Sequence, residues 1–577
     1  MTNPATVRPS PRVLPLAPAL LAPLLWAPLA DAQSWLPDSP FPRWGTAPAV
    51  TIPLAYDGSL SATQNGARLS AAIGALQPGQ TLAIGAGTWS VPTRLDLHGA
   101  GTAAAPFRLC AADPAHRPVI TRPDANQNVI NMGSNAPARF WVLQDLELTG
   151  GSDLLRLYDC ADVWIDGCWL HDGGGIGIAA NTVDTARLWL TRNEIARPGP
   201  GTTGEGMYLG ANFGAVATSF SVIAYNLVHD TRAAVAGQGD GIELKQGSHH
   251  CWIVGNDVHD TKNPCILVYG TGGNDTNVVE NNLCYDSDDG SMQVQGEAIV
   301  RNNVVINTGT GFQSHDHQGA TSDLAFVHNT VVSSGTAALL ENWGGRPGMT
   351  FANNVAYSLG AESLHFGNGD AGVVMAGNVI VGPRNGGSGC LPGNGLGDFV
   401  GVGLAPFRTD ATPVVGGAID NRGAPAFALP RDAAGTLRML PADPGAIANR
   451  ATFAGDAAQI SVATGGTLSL IFDAPPLANA DFHVLGSVTG TTPGVRLGPF
   501  TLPLEDDGWL EITLRQGNTG GLHNTVGTLD AAGRTRVQLV FPPLPPVLRG
   551  LVASHALVAL RGTQVLFVSN PVNVTFR

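Results

Sequence analysis

From about residue 150 to residue 382 the chain alternates short apolar runs with single polar residues, and no helical period is present. The segments VIAYNLVHD (222–230), WIVGNDVHD (252–260), VVENNLCYD (278–286), AIVRNNVVIN (298–307), AFVHNTVVS (325–333), TFANNVAYS (350–358) and VMAGNVIVG (374–382) share one plan: an apolar run, an asparagine, a second short apolar run. Asn193, Asn226, Asn256, Asn282, Asn303, Asn329, Asn354 and Asn378 follow one another at spacings of 21 to 33 residues, and Cys168 holds the same register one repeat earlier. Strand-like repeats of this period predict a β-solenoid, because one coil cannot bury its apolar face until a neighbour stacks on it. An asparagine at one repeated turn can hydrogen-bond its equals above and below, which predicts a ladder.

Each repeat carries an earlier strand as well: LLRL (154–157), IGIA (176–179), MYLG (207–210), IELK (242–245), ILVY (266–269), MQVQ (292–295) and FQSH (312–315). Alternation sends Met207, Ile242, Ile266, Met292 and Phe312 inward. It leaves Tyr208, Glu243, Leu267, Gln293 and Gln313 in one outward column and Gly210, Lys245, Tyr269, Gln295 and His315 in the next. Ahead of the repeats, residues 69–76 read as a short capping helix, followed by the strand pair GQTLAIGAGTWSV and TAAAPFRLCAAD.

These features together resemble the right-handed parallel β-helix proteins of the pectate-lyase-like superfamily, and the cap with its first coil is similar to that of chondroitinase B and alginate lyase-type polysaccharide lyases. The resemblance spans roughly residues 50–440. It implies an all-β fold with a substrate cleft along the outward columns, and function must still be argued from the site.

Beyond about residue 440 the asparagine period stops. QISVATGGTLSLIFDA, FHVLGSVTG, GWLEITLRQ, RTRVQLVFP, HALVALRG and QVLFVSNPVNVTFR read as alternating strands between Gly, Pro and Asp turns, so a small antiparallel β-sandwich is expected. Arg8 and Arg12 precede an apolar run ending at an Ala-Asp-Ala site, which reads as a secretory signal peptide. The expected organisation is therefore a signal peptide (1–32), a right-handed parallel β-helix with N-terminal cap (33–440), a linker (441–455) and a C-terminal β-sandwich (456–577). No later segment is long and apolar enough to span a bilayer, so a secreted or cell-surface monomer is expected.

A formal charge of −14 argues against nucleic acid as a partner. The seven cysteines contain no CxxC pair, so buried small apolar residues are expected, with one pair open to bridging in an oxidising compartment.

The outward columns suit a polysaccharide, whose rings and hydroxyls match aromatic and amide side chains. Tyr208, Glu243, Gln293, Gln295, Gln313 and His317 are candidate substrate contacts in a solvent-reached cleft. Of the 31 basic residues only Lys245 and Lys262 are lysines, and a lysine on the cleft can lose its proton where an arginine cannot. In the resembled lyases a base removes the proton beside a uronate carboxylate and an acid protonates the leaving glycosidic oxygen. That implies Lys245 as base and Tyr269 as acid, with His315 a further acid or base; the other reading pairs a solvated Lys245 with Glu243. The resembled lyases place Arg on the following coil, where this chain has Tyr269.

Glu205, Asp240 and Glu243 are candidate oxygen ligands for Ca²⁺, and Asp286–Gly290 (DSDDG) is a second acidic group, although acids beside glycine also occur in turns without metal. The His-Asp pairs at 171–172, 229–230 and 259–260 recur at one repeat position and read as structural. Signatures of polygalacturonase-type hydrolases and of uronan epimerases are missing. The leading expectation is a β-eliminating polysaccharide lyase, with a non-catalytic glycan-binding or adhesin-like protein as the alternative.

Overall fold

The computed structural model describes residues 35–45, 50–201, 203–414, 417–435, 438, 442–448, 453–474, 477–491, 494–497 and 500–577. The signal-peptide reading falls on residues 1–32, outside this set.

Three long parallel sheets make the solenoid. Among the described residues the first has 15 strands, from Val50–Leu54 to Val374–Ala376, the second 13, from Gly87–Ser90 to Leu391–Pro392, and the third 11, from Leu95–Leu97 to Leu364–Phe366. One coil visits them in turn, as Trp252–Val254, Asp257–Thr261 and Ile266–Val268 do. Parallel strands joined by such crossovers wind right-handed. The inward residues expected from the alternation, among them Met207, Ile242, Ile266, Met292 and Phe312, are fully buried in one continuous core.

The asparagine ladder sits between the first and second sheets and is unbroken from Asn193 to Asn378. Each side-chain amide donates to the Oδ1 of the next asparagine at 2.9 to 3.3 Å. That same oxygen also accepts the backbone N–H of the preceding asparagine at 2.8 to 3.0 Å. Cys168 joins the register through its N–H to Asn193 Oδ1 at 3.0 Å. The His-Asp pairs lie on the second sheet: His229, His259 and Tyr285 stack at 5.3 and 4.6 Å between ring centroids, each histidine bonded to its own aspartate.

The capping helix spans Ala62–Gly74, starting earlier than the apolar run suggested because Ser61 and Gln64 form a reciprocal capping box. Gly66 lets this helix close on the first coil, since a β-carbon there would lie 2.0 Å from the Ser90 carbonyl oxygen. Two further segments cover apolar outer faces. Residues 35–45 run along the first sheet against the stacking order: Trp35 meets His250, Phe41 meets Tyr225 and Trp44 meets Trp189 and Phe140. The hairpin of Phe399–Leu404 and Phe407–Pro413 lies on the second sheet, where Phe399, Val402 and Ala411 pack on Ile306, Val332 and Tyr357.

From Phe453 onward, among the described residues, a four-stranded and a six-stranded sheet, antiparallel but for one short parallel pair, face each other across a shared core that includes Phe472, Leu539, Phe482 and Val574. The segment GWLEITLRQ is not a strand. Asp507 accepts from the N–H groups of Trp509 and Leu510 and starts a helix, Gly508–Arg515. All seven cysteines are free thiols, five of them buried.

Candidate active site

Two coils of the third sheet bring the acidic residues together. Glu205 and Asp240 occupy equivalent turns, because Gly206 donates to the Asp240 carbonyl and Met207 to that of Gly241. The glycine after each acid is required by packing: a β-carbon on Gly241 would lie 2.3 Å from Val258 and 2.4 Å from the Cys265 carbonyl oxygen. Tyr208 then pairs in register with Glu243, and the column continues through Leu267, Gln293 and Gln313 as the alternation required. Lys245, Tyr269 and Gln295 form the next column, each donating its N–H to the coil before it.

Glu205, Asp240 and Glu243 place one carboxylate oxygen each within 4.8 Å of the others. Their exposures are 0%, 2% and 2%. Both oxygens of Glu205, Oδ1 of Asp240 and Oε2 of Glu243 are buried without a hydrogen-bond partner. Among the described residues the cation against them is Lys245, which forms an ion pair with Glu243 Oε1 and rests over the rings of Tyr208 (4.6 Å) and Tyr269 (4.9 Å). Three carboxylates therefore share one ammonium out of water, which is costly unless protons or a cation balance them.

The titration directions follow. Burial, then the Glu243 and Glu205 charges, hold Asp240 well above the usual carboxylate range. Burial pushes Glu243 up to about 7 against the pull of Lys245, and burial raises Glu205 too. For Lys245 burial acts downward, but the charge and hydrogen bond of Glu243 outweigh it and keep the ammonium above its ordinary value. Burial also raises the Tyr269 phenol, so it stays protonated.

The donor set fits a hard divalent cation. Three carboxylates converge, and their unpartnered lone pairs are what such an ion takes up. Among the described residues no other group of three His, Cys, Asp or Glu gathers in this way, and Asp288 of the DSDDG turn instead pairs with Lys262 at 2.6 Å.

A chain of side-chain bonds runs toward Tyr269. Gln313 Nε2 donates to Gln293 Oε1 at 2.8 Å, which turns the Gln293 amide so that its Nε2 donates to His317 Nδ1 at 2.9 Å. An imidazole that accepts at Nδ1 carries its proton on Nε2, and that atom faces the Tyr269 hydroxyl at 3.5 Å. Burial, His315 and Lys245 lower His317 and keep it neutral. His315 stacks beside His317 with ring centroids 5.5 Å apart. The repeat pattern placed Gln293, Gln313 and the two histidines on one face, but it held no signal for this chain of bonds.

One expectation is not met. Lys245 and Tyr269 do not line an open cleft: they are 4% and 3% exposed, beneath Tyr208 and the His317 turn. The sequence also gave no hint of Gln318, which reaches back to the loop at Asn212–Gly214.

No family model matches the chain, and no curated protein matches it in sequence. Among solved structures, an alginate lyase from Paenibacillus sp. is similar over 58% of this chain and 99% of its own, at 18% identity and a TM-score of 0.36. A mannuronic acid specific polysaccharide family 6 lyase from human gut microbiota is similar over 57% and 87%, at 11% identity and a TM-score of 0.37. The catalytic domain of a GH87 α-1,3-glucanase in complex with nigerose is similar over 60% and 66%, at 10% identity and a TM-score of 0.26. The chain's own strand pairing shows a parallel β-helix, and its third sheet carries a buried cluster of three acids, a lysine and two tyrosines.

Proposed function

We propose that this chain is a carbohydrate-active β-helix protein that cleaves a uronate-containing polysaccharide by β-elimination at Lys245. One observation carries the reading: a lysine held between two tyrosines beside three buried carboxylates, four of whose six oxygens lack hydrogen-bond partners. β-Elimination needs a base at the carbon beside the uronate carboxylate, relief of that carboxylate's charge, and a proton for the leaving oxygen. A hard divalent cation, Ca²⁺ by its all-oxygen preference, held by Glu205, Asp240 and Glu243 would offset their charge and free Lys245 from the carboxylate that keeps it protonated.

Lys245 Nζ then takes the proton, its stem fixed by the two rings. The Tyr269 hydroxyl, protonated and supported by His317 Nε2–H, donates to the glycosidic oxygen. Gln293 and Gln313 hold His317 in the tautomer whose Nε2–H faces the Tyr269 oxygen. Secretion, by the leader at 1–32, and monomeric state belong to the same proposal.

The burial of Lys245 favours a second reading, a glycan binder with no turnover. Incubation with a panel of acidic polysaccharides, followed by absorbance of the unsaturated uronyl end, separates the two. A lyase generates the chromophore from one uronan and loses it in Lys245→Ala. Glycan retention with no chromophore at any pH leaves the binder.

A further inference from the structure

The turns after Met207–Leu209 and after Phe312–Ser314 lie four coils apart in the third sheet. At about 4.8 Å per coil that is about 19 Å. Their loops nevertheless meet. Gln318 Oε1 accepts from the Phe213 N–H at 2.6 Å and its Nε2 donates to Asn212 Oδ1 at 3.0 Å. The first loop leaves from Gly210, where a β-carbon would sit 3.1 Å from Lys245 Cβ, and Gly214 rests on the turn at Gln246 and Gly247. The second places Gly319 over the amides of Gln246 and Gln295, each of which keeps a buried, unpartnered Oε1. The bridge is thus a rim along the turn edge of the site.

Phe213 stands on this rim. It is 79% exposed, the most exposed aromatic side chain among the described residues. The next, Phe220 and Tyr225, are stacked on His250 and Phe41. Phe213 has a φ of +59°, a turn conformation it shares with Phe140, Phe220 and Tyr225, and the Gln318 bond to its N–H holds it there. Folding gains nothing from a phenyl ring held in water, yet a bond between loops four coils apart fixes the backbone that presents it.

We propose that Phe213 is a stacking platform for one pyranose ring of the polysaccharide, set at the rim by the Gln318 bridge, and that it fixes the register of the chain over Lys245 without joining bond cleavage. The inference rests on the glycan reading above. An aromatic face attracts the C–H face of a sugar ring, and the pair is worth a factor of about three to ten in affinity.

The test uses the full chain and three variants, Phe213→Ala, Phe213→Trp and Gln318→Ala, run by affinity electrophoresis through gels containing mannuronate-rich alginate, polygalacturonate or a neutral glucan. Phe213→Ala is expected to lose retardation about three- to tenfold, Phe213→Trp to keep it, and Gln318→Ala to lose part of it. With a uronan that is turned over, KM rises by the same factor while kcat stays within about twofold. Retardation of Phe213→Ala equal to wild type overturns the inference. So does a loss in Phe213→Trp as large as that in Phe213→Ala. Retardation of the wild type by the neutral glucan alone, lost in Phe213→Ala, keeps the platform and removes the uronan reading. A wild type retarded by none of the three gels overturns both.

Discussion

Adding Ca²⁺ to the metal-free protein at pH 6 should release about one proton or more, and the source is the buried acidic cluster. Glu243 is pushed up from 4.5 to about 7, so at pH 6 it is about nine-tenths protonated when no cation is bound. Asp240, raised well above the usual carboxylate range by burial and its acidic neighbours, is a second source. Ca²⁺ takes ionised carboxylates, so binding must displace these protons, and affinity should fall as pH drops below 7. The stability consequence has a definite sign. A carboxylate raised in the folded state favours folding below its unfolded value, and that contribution is lost as pH rises from 4.5 through 7. For Glu243 the loss amounts to about 3 kcal/mol. Buried histidines act the other way, His555 being held down at about 4, so the comparison is made within each pH. The melting-point gain on adding Ca²⁺ over chelator should be larger at pH 8 than at pH 5. Calorimetric titration at pH 6 in buffers of different ionisation enthalpy counts the protons, and Glu243→Gln should lower the count. Binding with no proton release and no pH dependence would refute the reasoning, as would binding unaffected by Glu205→Gln.

Three further outcomes follow from the geometry. Lys245→Arg should abolish formation of unsaturated ends while glycan retention persists, and Lys245→Ala should lose both; full activity in the Arg variant would move the base to His315 or Tyr269. Gln293→Leu frees the His317 ring, so kcat should fall about tenfold with an altered alkaline limb of the pH–rate profile, and an unchanged limb would reduce Gln293 to packing. Asn256→Ala leaves two buried donors of Asn226, its N–H and one amide hydrogen, without their acceptor, at a cost of about 2–6 kcal/mol. A variant as resistant to heat and protease as wild type would show that the ladder contributes no cohesion.

The ladder and the inward residues of the third sheet were legible because both are periodic: one asparagine per coil and strict alternation along each strand leave few other arrangements. The gathering of Glu205, Asp240 and Glu243 followed from the same register. What escaped the sequence is what crosses the period. Gln318 and Asn212 lie 106 positions apart and no repeat links them. Trp35, Phe41 and Trp44 belong to no repeat, yet all three pack on the outer face of the first sheet, Trp35 beside Trp252, Val278 and Ile299. The alternation also gave direction but not depth: it turned Lys245 outward, and loops from other coils then closed over it. GWLEITLRQ shows a third limit, since its alternation fits a strand equally well and the Asp507 cap decides for helix.

The segment at 35–45 bears on how the molecule is made. Trp35 and Leu36 pack against a patch built from Val278, Ile299, Ala325 and Val327, residues synthesised some 240 to 290 positions later. The earliest part of the described chain to leave a ribosome therefore has no docking surface until most coils have stacked. Growth of the solenoid can proceed coil by coil on local contacts, but seating this strap is a contact of very long sequence separation and must come late. Its docking is a record that the coils beneath have assembled in order, so protection of Trp35 from quencher during refolding should lag the first burial of the coil core.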